Sequence, residues 1–309
     1  MKCGVIGLGS MGMGAALNLV AKGHDVTGCD LRLPARSELA AAGAAAGARA
    51  VARAADLPDG IEAVLVFVVN AAQAEAVLFG AEGCLSRLAP GAVVIASTTL
   101  APEIAKSLAA RLAERGFLML DAPVSGGAVG ARAGTMTVMA SGPEAAFAKA
   151  EPVLAAIAGK VWRLGEAHGA GSTVKMVNQL LAGVHIAVAA EALALGIRAG
   201  ADPKTLFDVI SSSAGSSWMW QNRVPHILEG DDTPLSAVNI FVKDLGIVLD
   251  EARALTFPLP LAAAAHQLFL AAAANGQGAR DDAFVIRVWQ ALTGISLPGE
   301  DAKGAPDAG

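Results

Sequence analysis

The hydrophobic pattern changes character about halfway along the 309-residue chain. In the first half, short apolar runs such as "AVLVFVV" alternate with longer alanine-rich stretches. A continuous apolar run of this length is typical of a strand that is buried on both faces of a parallel sheet. The alternation therefore predicts repeated β–α units. The predicted strands are Cys3–Leu8, Val26–Asp30, Ala63–Val69, Val93–Ser97, Phe117–Ala122, Thr135–Ala140 and Val161–Leu164.

From Ser172 onward no convincing strand pattern follows, and the alanine-rich segments indicate helices. Ser172 is a natural N-cap, so a long helix is predicted from about Thr173 to Ala199, with its end at Gly200. Such length is unusual in a globular protein and favours a spine between two domains. The pattern thus predicts an α/β domain over residues 1–166 and an all-α domain over 167–297. The polar, turn-rich tail, 298–309, is expected to be disordered.

Composition limits the classes of protein. Hydrophobic residues make up 54% of the chain, but much of that excess is alanine, and no run reaches the ~18 uninterrupted apolar residues of a membrane span. A strand predicted from the first residues leaves no room for a signal peptide. The three cysteines lack metal-binding spacing and favour a reducing compartment, so we expect a cytoplasmic protein without a membrane partner.

Net charge and the spacing of the histidines each argue against one further kind of ligand. The formal net charge is −5, from 28 acidic and 23 basic residues, and no basic block occurs. A nucleic-acid partner is therefore not expected. The five histidines are scattered and form no ligand pair at helical spacing, so the sequence predicts no metal site.

The segment "CGVIGLGSMG" places Gly7, Gly9 and Gly12 between an apolar strand and a helix. Glycines at this spacing permit a tight turn, close approach of a pyrophosphate and close helix–sheet packing. Asp30 ends the next predicted strand, where a carboxylate accepts hydrogen bonds from ribose hydroxyls and repels a 2′-phosphate. The motif predicts a Rossmann domain with NAD as cofactor. Arg32 could instead accommodate the phosphate of NADP, and a glycine turn that serves only packing is the remaining alternative.

A second glycine-rich segment, "LDAPVSGGAVGARAG", follows another apolar strand. Ser125, Gly126 and Gly127 offer a hydroxyl and unobstructed backbone N–H groups, which suit a carboxylate ligand. A loop without any ligand is the alternative, because Ser-Gly-Gly is common in loops.

The third segment, "HGAGSTVKMVNQLL", carries Lys175 in the first turn of the predicted long helix. At 100° per residue, Asn178 and Gln179 flank the lysine on one narrow face. A helix N-terminus and apolar neighbours both lower the pKa of a lysine, which then exchanges a proton with an alcohol near neutral pH. The chain has no tyrosine, so Lys175 is the best candidate proton carrier. The alternative is a lysine that extends to water.

Together these segments resemble the β-hydroxyacid dehydrogenase family, which includes 3-hydroxyisobutyrate dehydrogenase and tartronate semialdehyde reductase. The resemblance covers nearly the whole chain through "GLGSMG", "DAPVSGGAVGARAGTMTVMASG", "GAGSTVKMVNQ" and "VKDLGIVLDEA". It implies NAD-dependent oxidation of a small hydroxy acid. Within the family, "VNAAQAEAVLFG", "STVKMVNQLLAGVHIA" and "SSWMWQNRVPHIL" most resemble enzymes that act on L-threonate.

The resemblance also implies roles for individual residues. Lys175 matches the catalytic lysine, and the substrate-binding positions are Ser125, Gly126, Gly127, Asn178 and Gln179. The cofactor-binding positions are Gly7, Leu8, Gly9, Ser10, Met11, Gly12, Asp30, Val69, Asn70, Thr99 and Lys243. Two positions depart from the family pattern: many relatives have Leu-Pro at Val69-Asn70, and a second asparagine in place of Gln179.

Several alternatives remain open from the sequence. The same machinery with another pocket would act on 3-hydroxyisobutyrate or tartronate semialdehyde. An imine reductase is less favoured, because a catalytic lysine suits alcohol chemistry. A non-catalytic module that senses NAD or binds chromatin is disfavoured by the acidic charge and the complete motif set. The apolar helical half carries more apolar surface than a small domain hides, which predicts a homodimer or homotetramer.

Overall fold

The computed structural model describes residues 1–298 and divides into two compact units. The first unit is Met1–Met176, and the second begins at Val177, inside a long helix. We keep as a proposal that residues 1–166 and 167–297 are separate domains. Apart from Pro298, the tail predicted to be disordered lies outside the described residues.

The first unit contains a six-stranded sheet and a smaller three-stranded sheet. The strands are β1 (Lys2–Ile6), β2 (Asp25–Cys29), β3 (Arg49–Val51), β4 (Ile61–Val66), β5 (Leu88–Ala96), β6 (Leu118–Asp121), β7 (Val124–Ser125), β8 (Met136–Ala140) and β9 (Ala158–Arg163). The large sheet has the order β3-β2-β1-β4-β5-β6, and all its pairs are parallel. In the small sheet, β8 pairs antiparallel with β7 and parallel with β9.

Helices follow most strands of the first unit and form the second. In chain order they are α1 (Ser10–Ala21), α2 (Leu33–Ala42), α3 (Ala71–Phe79), α4 (Pro102–Ala113), α5 (Gly127–Ala133), α6 (Glu144–Ile157), α7 (Ala170–Arg198), α8 (Pro203–Ser211), α9 (Trp218–Glu229), α10 (Val238–Ala254), α11 (Pro260–Ala272) and α12 (Arg287–Thr293). Short 3₁₀ turns occur at Ala44–Ala46, Ala54–Asp56, Leu85–Arg87 and Asp282–Ile286, and a π-helical segment at Ala273–Gln277. No strand is assigned between Leu164 and Pro298.

The central strands are buried on both faces, as their continuous apolar runs predict. On one face, Leu65 of β4 belongs to a core with Leu19 of α1 and Phe147 of α6. On the other face, Val64 and its neighbours belong to a core with Leu78 of α3 and with α4. The large sheet is therefore covered by helices on both sides, and the predicted Rossmann-type fold is confirmed.

Two short strands were not predicted. β3 is a three-residue edge strand and β7 has only two residues, so neither produces a periodic pattern of its own. β7 nevertheless joins the last two predicted strands, β8 and β9, in the separate small sheet.

The start of α7 corrects the sequence prediction. The helix begins at Ala170, and the carbonyl oxygen of Gly169 accepts from the N–H of Thr173 at 2.9 Å. Ser172 therefore lies inside the helix and is not its N-cap. Lys175 is consequently in the second turn, not the first. Beyond α7, Asp202 caps α8 and Pro203 is the first residue of that helix.

By length and composition alone, the 29-residue α7 could cross a membrane. This is weak evidence for a span, because the core helix of a globular protein passes the same test. The helix also carries Lys175 and Gln179, both buried.

All three cysteines, Cys3, Cys29 and Cys84, are buried and in the thiol form. Burial raises the pKa of each thiol to about 12. These side chains behave as small apolar core residues.

Candidate active site

The loop between β1 and α1 has the geometry of a pyrophosphate site. A β-carbon at Gly7, whose φ is +93°, would lie 2.6 Å from the carbonyl oxygen of Phe67. A β-carbon at Gly12 would lie 1.8 Å from the carbonyl oxygen of Gly7, so packing alone requires both glycines. At Gly9 a β-carbon would have no atom within 4 Å. Gly9 therefore leaves an open approach to the backbone, as a bound phosphate requires.

The N-terminus of α1 suits the same ligand. No side chain caps this helix, and its first turn, which begins with Ser10 and Met11, contains no acidic residue. Its first N–H groups and the positive end of its dipole are therefore available to an anion.

Asp30 lies directly beside the glycine loop. Its Oδ2 accepts a hydrogen bond from the N–H of Leu8 at 2.8 Å. Both carboxylate oxygens also accept from the Arg32 guanidinium, each at 3.0 Å. Burial by itself would raise the pKa of Asp30, but the hydrogen bonds from Arg32 and Leu8 outweigh it and lower the pKa below its usual value. The ribose-binding candidate is thus an ionised carboxylate with an arginine in contact.

Further cofactor candidates follow the neighbouring strands β4 and β5. Asn70 caps α3 by accepting from the N–H of Gln73 at 2.9 Å, and Gln73 accepts from the N–H of Val69 at 2.8 Å. Thr99 is partly exposed just after β5, whereas Thr98 is buried and donates to a backbone carbonyl. Because β1, β2, β4 and β5 are parallel, these positions share one edge of the sheet with the glycine loop.

The Ser-Gly-Gly segment forms a turn that depends on glycine. Ser125 pairs with Thr137 at the end of β7, and the chain then passes through Gly126 and Gly127 with φ of +130° and +61°. Other residues adopt these values only with strain. In the turn, Ser125 is therefore followed directly by two backbone N–H groups that no side chain covers.

The first turn of α7 is held by a buried carboxylate that the sequence did not identify. Asp121, at the end of β6, is fully buried. Its Oδ2 accepts from the N–H groups of Gly169 at 3.0 Å and Ser172 at 2.9 Å, and its Oδ1 accepts from the Ser172 hydroxyl at 2.7 Å. A carboxylate that accepts from backbone N–H groups at a helix N-terminus is a favourable arrangement for both.

Lys175 lies on the inner side of α7. Its exposure is only 7%, whereas Val174 and Val177 on the same helix are 40% and 51% exposed. This is the reverse of an ordinary surface helix, in which the apolar residues face inward. The alternative in which the lysine extends to water does not hold in this structure.

Asn178 and Gln179, at the start of the second unit, belong to a chain of polar contacts. Asn178 donates to Gln179 Oε1 at 2.9 Å, and Gln179 donates to Asp244 Oδ2 at 2.5 Å. The other oxygen of Asp244 forms an ion pair with Lys243. Two residues predicted to bind the substrate are thus linked to one predicted to bind the cofactor. Asp244, which is buried, makes the link but was not predicted as a site residue.

The two tryptophans of α9 have different environments. Trp220 is buried and stacks on Phe207, with 6.3 Å between ring centroids. Trp218 is 60% exposed.

Comparison with known proteins identifies the family. Residues 2–165 match the family model for the NAD-binding domain of 6-phosphogluconate dehydrogenase. Residues 169–289 match the model for the NAD-binding region of NADP-dependent 3-hydroxyisobutyrate dehydrogenase. An L-threonate dehydrogenase of Cupriavidus necator is 60% identical, over 96% of this chain and 98% of its own. The chain belongs to the 3-hydroxyisobutyrate dehydrogenase-like family of β-hydroxyacid dehydrogenases.

Other relatives agree with this assignment. An L-threonate dehydrogenase of Escherichia coli is 52% identical to this dehydrogenase, over 96% of each chain. A solved structure described as 3-hydroxyisobutyrate dehydrogenase from Salmonella typhimurium is 49% identical and superimposes with a TM-score of 0.88. That comparison covers 93% of this chain and 99% of the other. The dehydrogenase is therefore an NAD-binding oxidoreductase that acts on a hydroxy acid, as the sequence predicts.

The Asp30 carboxylate predicts the choice of cofactor. We expect kcat/KM with NAD to exceed that with NADP at least tenfold, about 1.4 kcal/mol, because Asp30 repels a 2′-phosphate. Asp30→Asn removes that charge and leaves Arg32 in place, so NADP should gain. Initial rates with both cofactors measure the ratio. Asp25→Asn, at the exposed start of the same strand, is the control. A ratio that Asp30→Asn does not change would assign the choice to another residue.

Proposed function

We propose that the protein oxidises L-threonate at C2 to the 2-oxo acid, with Lys175 taking the proton of the reacting hydroxyl. The observation that carries the proposal is the burial of Lys175 on a helix that leaves Val174 and Val177 exposed. Placing a cation inward is unfavourable for packing and is typical of a functional site. The choice of L-threonate is supported by the higher identity to enzymes of that name, 60% and 52%, than to the structure described as acting on 3-hydroxyisobutyrate, 49%.

In this proposal each binding element has one task. Ser125 and the N–H groups of Gly126 and Gly127 bind the carboxylate of the acid, because hydrogen bonds to a charged acceptor are the strong ones. Lys175 takes the proton from the oxygen of the C2 hydroxyl. Asn178 holds the remainder of the substrate, and Gln179 holds Asn178 through a hydrogen bond.

The cofactor is held by the glycine loop and the strand ends. When bound, NAD supplies the hydride acceptor for the hydrogen on C2. The backbone from Gly7 to Gly12 binds the pyrophosphate, and Asp30 binds the adenosine ribose. Val69 and Asn70 line the cofactor, Thr99 contacts its nicotinamide side, and Lys243 is a further cofactor-binding residue.

A substrate panel tests the proposed activity. NADH formation should be faster with L-threonate than with D-threonate, 3-hydroxyisobutyrate or glycerate. Glycerate is the alcohol that corresponds to tartronate semialdehyde. The amide of L-threonate should lose about 2–4 kcal/mol of transition-state binding, roughly 30- to 900-fold in kcat/KM, because buried donors lose a charged acceptor. Faster turnover of 3-hydroxyisobutyrate would assign the alternative substrate. Equal turnover of the acid and its amide would contradict the role of Ser125-Gly126-Gly127.

The role of Lys175 is tested by two substitutions. Lys175→Ala should lower kcat roughly 10²-fold or more, the usual contribution of a positioned general acid–base, while NAD affinity stays nearly unchanged. Lys175→Arg should not restore activity, because a guanidinium does not release its proton near neutral pH. The rise of kcat/KM with pH in the oxidation direction should vanish in Lys175→Ala. Lys204→Ala, at an exposed lysine of α8, is the control. A Lys175→Ala enzyme with near-normal kcat would move the proton transfer to another group.

We also propose that the protein is a homodimer or homotetramer. Leu181, Val188 and Leu195 recur every seven residues on α7 and are 50%, 53% and 70% exposed. Apolar residues at this spacing form one stripe along a helix, the usual surface for another helix. Light scattering should give a multiple of the 30.9 kDa chain mass, and a monomer at micromolar concentration would contradict the proposal.

For its location we propose the cytoplasm. Three thiols without a disulfide suit a reducing compartment, and NAD-dependent oxidation needs the cofactor pool found there.

A further inference from the structure

In the second unit, four polar side chains form a chain of hydrogen bonds, and one of them determines which way every hydrogen bond in the chain points. It runs from Lys243 through Asp244 and Gln179 to Asn178, and every neighbouring pair is in hydrogen-bond contact. Asp244 and Gln179 are buried, with 2% and 7% exposure, so water does not readily replace these contacts. Each amide in the chain could in principle turn by 180° about its last torsion.

The carboxylate of Asp244 removes that freedom. It forms an ion pair with Lys243, and a carboxylate in such a pair only accepts hydrogen bonds. Gln179 must therefore turn its NH₂ group toward Asp244, which leaves its Oε1 facing Asn178. Asn178 must in turn direct its own NH₂ group toward Gln179. The orientation of Asn178 is thus fixed by a charge two side chains away.

The consequence is that Asn178 turns its carbonyl oxygen away from Gln179. A carbonyl oxygen repels a carboxylate and accepts from a hydroxyl. The reacting hydroxyl has a single hydrogen, which in the proposed function goes to Lys175. A substrate hydrogen that Asn178 accepts therefore comes from another hydroxyl. Lys175 and Asn178 are three residues apart on one helix, about 5–6 Å between β-carbons, so they reach groups on adjacent carbons.

We propose that Asn178 accepts a hydrogen bond from a second substrate hydroxyl, next to the carbon that is oxidised, and that Asp244 imposes this preference through Gln179. The inference rests on the proposed function and narrows its substrate class to 2,3-dihydroxy acids. Asn178 is the group that contacts substrate, and Gln179 and Asp244 are positioning residues.

The test compares L-threonate with its 3-deoxy-3-fluoro analogue of the same C2 configuration. Fluorine is close in size to a hydroxyl but cannot donate a hydrogen bond. The ratio of kcat/KM for the two substrates is measured in the wild type and in Asp244→Asn. Dividing one ratio by the other cancels the intrinsic effect of fluorine on the chemistry.

Asp244→Asn should reverse the chain with almost no change of shape. Lys243, which only donates, would hold the oxygen of the new amide and leave its NH₂ group to Gln179. Gln179 and then Asn178 would turn over, and Asn178 would present N–H groups to the substrate. The preference for the hydroxyl over fluorine should fall at least tenfold. Asp250→Asn, the same change at an exposed position of α10, should leave the ratio within twofold of the wild type.

Gln179→Met provides a second reading if Asp244→Asn folds poorly. It interrupts the chain but leaves the Lys243–Asp244 pair in place, so the ratio should again fall. A wild-type ratio that both variants retain would overturn the inference and leave the proposed function intact. A wild type that does not oxidise L-threonate at all would instead overturn the proposed function.

Discussion

The carboxylate of Asp121 fixes the part of the molecule on which the proposed chemistry depends. A buried carboxylate is stable only when donors satisfy it. Gly169, just before α7, provides one backbone N–H group, and Ser172 in the first turn provides another and a hydroxyl. These contacts set where α7 begins, and therefore which side of the helix carries Lys175 and Asn178. The strand that ends in Asp121 also runs within four residues into the Ser125 turn. One side chain thus relates Lys175 to the Ser125 turn, which is proposed to bind the substrate carboxylate.

Asp244 follows the same physical rule in the second unit. It too is a buried carboxylate, but a lysine and a glutamine satisfy it in place of a helix N-terminus. In both cases burying the charge costs free energy, and the packing of the core does not require a charge there. Buried charges that are each fully partnered are typical of sites in which groups must keep one orientation.

The sequence predicted the parts of this fold that depend on local pattern. The glycine loop, Asp30 and five of the six strands of the large sheet follow from residue spacing, because turn geometry and burial act over a few residues. The predicted start of α7 was wrong because the side chain of Ser172 bonds to Asp121, 51 residues earlier, and does not cap the helix. The link from Gln179 to Asp244 spans 65 residues. Such contacts form only when the chain has folded, so no local sequence pattern predicts them.

The buried cysteines have a practical consequence for work with the enzyme. With pKa values raised to about 12, these thiols hold almost no thiolate at neutral pH, and the thiolate is the reactive form. Cys29 immediately precedes Asp30 in the chain but is screened from reagents by the core around it. Alkylating agents, mild oxidants and maleimide dyes should therefore leave the native protein unlabelled. A single cysteine introduced on the surface would then report one position without removal of the natural three.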